Sequence, residues 1–248
     1  MIAKSKLKYI QSLGHKKLRD EADLFVVEGP KMVAEILSEK LLQVTELYAL
    51  LDWVTANEQL LKNLPSSVVV HTIDNISLAK ISQLTTPNKV LAVVKQQPLI
   101  ATINTSQLAL VLDTIQDPGN LGTIIRIADW FGIQQIICSH ECADRYNPKV
   151  VQSTMGSIAR VGFYYTNLVD FLMANKQTQI YAAALDGMSV QKLGKLAGGL
   201  LVIGNESKGI SAPVMDLVNV RITIPRIGLA ESLNAAVATG IILSHVTM

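Results

Sequence analysis

The sequence predicts an α/β protein whose second part is built on a parallel sheet, and two observations carry that expectation. Short, nearly continuous apolar runs such as Leu108–Leu112, Gln135–Cys138 and Leu200–Ile203 alternate with stretches of helical periodicity. Strands that are apolar on both faces belong to sheets covered by helices on either side. Three of these strand candidates also run into polar turns that contain glycine, at the edge where parallel sheets bind ligands. The first part mixes strand and helix patterns without that regularity and reads as a smaller α/β unit.

In the first part, Ile2, Leu7, Ile10, Leu13 and Leu18 recur at loose helical spacing, and Leu24–Gly29 reads as a strand stopped by Gly29-Pro30. Lys31–Leu42 returns to helical periodicity through Met32, Val33, Ile36 and Leu37, and Val68–Thr72 and Val90–Lys95 are further strands. Periodicity lapses from Gln96 to Gln107, so residues 1–97 form one expected domain, 98–107 a linker and 108–248 the second domain. There the strands are expected at Leu108–Leu112, Gln135–Cys138, Ile180–Leu185, Leu200–Ile203 and Val220–Ile224. Helices are expected at Leu121–Phe131, Lys149–Ile158 and Ala235–His245, with Gly132 as a stop after the first.

Composition narrows the class. Hydrophobic residues make up 49 % and charged residues 17 % of the chain, which fits a packed core and argues against disorder. The longest apolar run, Ala197–Ile203, falls far short of the roughly 18 residues a spanning helix needs. The start, Met1–Lys8, has no apolar signal segment. A soluble, cytoplasmic protein without membrane association is expected. Cys138 and Cys142 flank His140, but no second cluster completes a set of four ligands, so neither a metal nor a disulfide is expected. The net charge of +2 is uninformative, but six basic residues between Lys4 and Arg19 precede any acidic one. Such a run suits phosphate contacts or, equally, a solvated helix face.

The polar turns carry the candidate chemistry. In Asp117–Arg126, Pro118-Gly119 makes a turn and Asn120 is the candidate cap of the next helix. Arg126 then falls early in that helix, where the macrodipole disfavours a cation; the plain alternative is a surface ion pair with Asp129 or Asp113. Gly204–Gly209 lacks the Gly-Lys-Ser/Thr ending of a phosphate loop, yet its first glycine would let a ligand approach the backbone. Ser211 is the candidate cap of a helix over Ala212–Val218, with Pro213 in its first turn. In Ile224–Asn234, Ser232 is the candidate cap of the last helix.

Read in order, the segments N-L-G-x-x-x-R from Asn120, I-G-N-E-x-x-G from Ile203 and I-P-x-x-G-x-x-x-S-L-N from Ile224 closely resemble the three motifs of the SpoU/TrmH family of RNA ribose 2′-O-methyltransferases. Tyr146–Val151 and Thr154–Ser157 look similar to the same family, and the likeness runs from Leu108 to the C-terminus. Lys17, Arg19 and Phe25–Gly29 resemble its frequent RNA-binding extension, a domain similar to a ribosomal-protein fold. The resemblance implies a C-terminal deep trefoil knot, an exception to unknotted folds, and a homodimer with each site at the subunit interface. It implies S-adenosylmethionine as methyl donor, held at Gly204, Ile224 and Leu233 without a metal. It implies a catalytic set of Arg126, Asn120, Glu206, Ser232 and Asn234, and the basic run of the first domain then becomes the expected RNA contact, through Lys4, Lys8, Lys16, Lys17 and Arg19. The implied reaction is methylation of a ribose 2′-hydroxyl in structured RNA, with ribosomal RNA favoured over transfer RNA and the two not separated by the sequence.

On that reading Arg126 anchors a phosphate and stabilises the developing alkoxide, since an arginine with a pKa above about 12 is a poor base. Asn120 and Asn234 would orient Arg126 and the ribose, Glu206 would hold Arg126 or its loop, and Ser232 would position the nucleotide. The alternative is a non-catalytic RNA-binding protein that keeps the fold; the intact Arg126, Glu206, Ser232 and Asn234 speak against it. A dinucleotide-binding enzyme is disfavoured because no G-x-G-x-x-G occurs.

Overall fold

The computed structural model describes residues 2–248; Met1, the expected start of the first domain, lies outside them. The chain divides into two compact units. One comprises residues up to Pro98 together with Tyr146–Ala159, the other Leu99–Arg145 with Arg160–Met248.

The first unit opens with helices α1 (Lys4–Ser12) and α2 (Lys16–Ala22). The spacing that reads as one helix is interrupted at Leu13–His15, which leaves Leu18 on the surface. There follow β1 (Leu24–Glu28), α3 (Pro30–Glu39), β2 (Val44–Ala49), α4 (Leu51–Ala56), α5 (Glu58–Lys62), β3 (Val69–Thr72), α6 (Asn75–Ile81) and β4 (Val90–Lys95). The strands order as β1-β4-β2-β3, with β4 antiparallel to both neighbours and β2 parallel to β3. Ile10 and Leu13 pack with Tyr48, Leu78, Ile81 and Leu91 as the core on one face. Sequence periodicity misses β2 because Glu46 interrupts its apolar run. In the fold this carboxyl accepts from Lys6 Nζ at 2.6 Å and from the Tyr48 hydroxyl.

Two residues of the segments that resemble an RNA-binding extension serve the fold instead. Arg19 is 2 % exposed, and its Nη1 donates to the carbonyl oxygens of Leu13 at 2.9 Å and Gly14 at 2.8 Å. It ties α2 to the end of α1, and such burial removes it as a surface phosphate contact. The Glu28 carboxyl accepts from the Ser82 hydroxyl and from Gln83 N, while burial pushes its pKa up. Lys16 and Lys17 face Asp20 and Glu21 along α2. Lys4 and Lys8, one turn apart on α1, are exposed and have no acidic partner among the described residues.

The second unit runs β5 (Leu108–Leu112), α7 (Pro118–Trp130) and β6 (Gln135–Cys138). After α8 (Pro148–Thr154), which belongs to the first unit, come β7 (Gly162–Tyr165), α9 (Leu168–Ala174), β8 (Ile180–Ser189), β9 (Gly199–Ile203), α10 (Ala212–Met215), β10 (Val220–Thr223) and α11 (Ala235–Val246). Its sheet is parallel throughout, in the order β10-β8-β9-β5-β6-β7. Every residue of β5, β6 and β9 is buried, as near-continuous apolar runs require. The helix expected over Lys149–Ile158 stops at Thr154, because Met155 and Gly156 both take positive φ; a tighter turn over Ser157–Ala159 follows. The helix expected over Ala212–Val218 stops at Met215.

Arg19→Ala should therefore lower the unfolding free energy by about 2–3 kcal/mol, since two enclosed carbonyls lose a charged donor. Lys17→Ala, at an exposed pair, should cost under about 0.5 kcal/mol. Chemical denaturation of the two variants checks this, and equal small losses would contradict the structural role of Arg19.

Candidate active site

All strands of the second sheet run the same way, so the loops after β5, β9 and β10 leave from one edge. Each motif sits in one of these loops, and polar side chains join them. Asp117, not Asn120, caps α7: its Oδ1 accepts from Asn120 N at 2.8 Å, and Pro118 takes the first helical position. The Asn120 carboxamide is thereby left free to reach outward. Its Nδ2 donates to Glu206 Oε1, and its Oδ1 accepts from Asn234 Nδ2 at 2.8 Å. Asn234, not Ser232, caps α11, with its Oδ1 accepting from Ala236 N at 3.0 Å and Val237 N at 3.3 Å. One hydrogen-bonded chain, Glu206–Asn120–Asn234, thus links the three loops.

The loop after β9 closes on itself. Asn205 and Gly209 exchange backbone hydrogen bonds at 3.0 and 2.9 Å. The Asn205 Oδ1 accepts from Ser207 N and Lys208 N, while its Nδ2 donates to Thr114 O at 2.8 Å. This closure revises the reason for the glycine at 204. A Cβ there would lie 2.4 Å from the carbonyl carbon of Gly209, so the space beside Gly204 is filled by the returning backbone rather than kept open for a ligand. Glu206, at the turn, holds Asn120; no hydrogen bond or ion pair joins it to Arg126.

Arg126 is the ninth residue of a thirteen-residue helix, so it lies beyond the midpoint and the argument from an unfavourable macrodipole falls away. The alternative ion pairs are not made either. Asp129 pairs with Arg160 at 2.9 Å, and Asp113 accepts from Ser211 and Thr114. Arg126 is exposed, and its guanidinium has no partner among the described residues. Six residues separate it from Asn120, about 9 Å along the axis and a third of a turn round it. Within one chain it is therefore not brought to the carboxamide chain. Trp130, one turn further along the same face, is 82 % exposed.

The loop between β10 and α11 is open. Ser232 is exposed, Leu233 is largely so, Ile224 is half-buried, and Ile227 and Leu229 are bare. Beside it β8 bulges: the register with β10 passes from Ala182 to Met188 between successive residues, extruding Ala183–Gly187. Thr223 Oγ1 donates to Leu185 O at 3.1 Å across this excursion. Sequence reasoning misses it, although Asp186-Gly187 is a turn signal within a strand pattern. An apolar ring would suit this edge, which offers exposed Leu233 and Leu185 and half-buried Ile224 side chains near main chain that forms no regular ladder. Cys138 and Cys142 are buried free thiols; Cys142 donates to Leu112 O and accepts from Ile115 N.

The carboxamide chain makes a sharp expectation. Asn120→Asp replaces the donor facing Glu206 with an acceptor and should cost about 1–3 kcal/mol. Adding Glu206→Gln restores a donor and should recover most of that loss. A double-mutant cycle by thermal unfolding checks it; strictly additive losses would show that the two side chains do not interact.

The likeness to known proteins follows the same division. The model of the SpoU rRNA Methylase family matches residues 107–244, and that of the MRM3-like substrate binding domain matches residues 4–92. The 23S rRNA (guanosine(2553)-2′-O)-methyltransferase RlmP of Bacillus subtilis is 30 % identical over 244 residues, 97 % of this chain and 95 % of that protein. A TrmH-family structure from Porphyromonas gingivalis matches with a TM-score of 0.87 at 36 % identity, covering 98 % of this chain and 97 % of that one. An AdoMet-bound rRNA methyltransferase from Sinorhizobium meliloti matches with a TM-score of 0.83 at 28 % identity, covering 98 % and 94 %. With one family model spanning more than half of its length, and the three motifs of that span joined by hydrogen bonds, the chain belongs to the SpoU rRNA methylase family.

Proposed function

We propose that this protein transfers a methyl group from S-adenosylmethionine to a ribose 2′-hydroxyl of structured RNA, ribosomal rather than transfer RNA, as a knotted homodimer. The observation that carries the reading is the Glu206–Asn120–Asn234 chain at the sheet edge, whose Asn120 shares its helix with an exposed arginine that has no partner among the described residues. The AdoMet-bound relative from Sinorhizobium meliloti supports the cofactor, and RlmP, named for 23S rRNA, supports the ribosomal substrate.

When bound, the cofactor supplies a methyl group on a positively charged sulfur, a good leaving group. Ile224 and Leu233 hold it at the carboxyl edge, with main-chain groups at Gly204 on the side away from the returning Gly209 backbone. The protein's remaining task is to align a weakly acidic hydroxyl and offset the charge that grows on its oxygen. Arg126 does this as a planar fork on the neighbouring phosphate and the developing alkoxide. Asn120 and Asn234 fix the loops against one another, Glu206 holds Asn120, and Ser232 reaches the nucleotide. RNA affinity comes chiefly from residues 1–97, which lie within the first unit, through Lys4 and Lys8, with Lys16 and Lys17 contributing after exchange of their carboxylate partners.

Two features favour the dimer. Trp130 and Val237 expose apolar surface on α7 and α11, which pack together. Arg126 makes no hydrogen bond to Asn120, Glu206 or Asn234 of its own chain, which favours an arrangement in which the guanidinium of one subunit completes the site of the other. The knot is favoured by the way α11 lies on α7 while Leu196 N, ahead of β9, donates to Val246 O at 2.8 Å.

Arg126→Ala should leave S-adenosylhomocysteine affinity near native and slow methyl transfer by at least ~100-fold, the order for losing one charge-stabilising group. Arg126→Lys should also fail substantially, since an ammonium lacks the fork. Near-native transfer by Arg126→Ala would overturn the assignment. Mixing inactive Arg126→Ala and Asn234→Ala subunits tests sharing: if each site takes one residue from each subunit, a random mixture should regain about a quarter of native activity. No recovery would place both residues in one chain's site.

Lys4→Ala with Lys8→Ala should weaken RNA binding and lower the log–log salt slope by about two, without changing cofactor affinity. An unchanged slope would remove these lysines from the RNA interface.

A further inference from the structure

Asp113 directly follows β5 and is buried, only 5 % exposed. Its Oδ2 accepts twice from one distant residue, from Ser211 N and from Ser211 Oγ, each at 2.7 Å. Its Oδ1 accepts from Thr114 Oγ1 at 3.0 Å. Ser211 has the backbone geometry of a helix cap before α10, yet its hydroxyl makes no capping bond. A hydroxyl that would ordinarily satisfy a helix N-terminus is given to Asp113 instead. The next residue along, Thr114, holds the other end of the same loop, accepting from Asn205 Nδ2 at 2.8 Å. Thr114 itself takes a left-handed φ of 59°, an uncommon conformation for a branched side chain and one that turns its carbonyl toward the loop.

Two consecutive residues at the end of β5 therefore grip both feet of the segment Gly204–Ser211. Between the feet, Ser207, Lys208 and Gly209 are exposed, so side-chain packing does little to hold the loop shut. Enclosing a carboxyl group costs desolvation, which these three hydrogen bonds offset. Glu206, whose carboxyl meets Asn120, rides on the clamped segment.

We propose that Asp113 and Ser211 form a clasp that keeps the Gly204–Ser211 loop closed, and that as positioning residues they set cofactor affinity and the alignment of Glu206 with Asn120. The inference rests on reading that loop as part of the cofactor site. Neither residue touches the reacting atoms, and both act through the loop.

The test uses full-length protein with Ser211→Ala and the hydroxyl-retaining Ser211→Thr. Ser211 is exposed, so both variants should fold, with midpoints within about 3 °C of native. Amide hydrogen exchange over residues 204–211, without ligand, reads the clasp directly. Exchange should quicken about tenfold in Ser211→Ala, the order for losing one bond to a carboxyl group, and return in Ser211→Thr. The dissociation constant for S-adenosylhomocysteine should rise about five- to tenfold in Ser211→Ala, with KM for the methyl donor rising more than kcat falls, and recover in Ser211→Thr. Unchanged exchange in Ser211→Ala would overturn the clasp. Quickened exchange with unchanged affinity would overturn its link to the cofactor. Failure of the native protein to bind S-adenosylhomocysteine would instead count against the reading of the site, and exchange alone would then decide the clasp.

Discussion

A carboxamide held between loops must satisfy a donor end and an acceptor end, and the site depends on how Asn120 does so. Its backbone amide is already taken by Asp117, the true cap of α7, so its side chain owes nothing to its own helix. Nδ2 goes to Glu206 and Oδ1 to Asn234, residues 86 positions and 114 positions away. The ends cannot be exchanged: a carboxyl oxygen of Glu206 accepts, and Asn234, whose own Oδ1 caps α11, has only its Nδ2 left to give. The order of donors and acceptors therefore fixes how three loops, each at the end of a different strand, meet. Partly satisfied networks of this kind are costly, which gives the arrangement its definition.

The parallel sheet makes that meeting possible. Because all six strands point one way, every loop that follows one opens on the same edge, and distant motifs become neighbours without long excursions. The closed turn at Gly204–Gly209 and the extruded Ala183–Gly187 then give the edge its relief, while the chain from β10 to α11 leaves apolar side chains bare. Arg126, which has no partner among the described residues, lies one turn from Trp130, an indole 82 % exposed and thus a large apolar surface left to water. The proposed anion contact and subunit pairing both rest on this stretch of α7.

Central strands were legible in the sequence because they are buried on both faces: Leu108–Leu112, Gln135–Cys138 and the run ending at Ile203 fold as their apolar character indicates. Elements with a mixed or short pattern were not. Glu46 hides β2, and the four residues of β7 carry two half-buried tyrosines that suit several structures. The caps were displaced by a few residues, since Asp117 and Asn120, or Ser232 and Asn234, are chemically equivalent candidates until the helix start is known. That displacement moved Arg126 past the middle of its helix and removed the dipole argument. Arg19 and Gly204 show a different limit. A cation in a basic run and a glycine in a polar loop look like ligand contacts, but whether they face solvent or their own backbone depends on how the chain closes.

The reaction is tested most directly by the nucleosides it leaves behind. Ribosomal RNA is incubated with the purified protein and S-adenosylmethionine labelled in its methyl group, digested, and analysed by mass spectrometry. The expected result is label in a 2′-O-methylnucleoside, lost when the Arg126→Ala protein is used. Label carried on a base, or RNA left unlabelled by protein that binds both substrates, would contradict methyl transfer to the ribose.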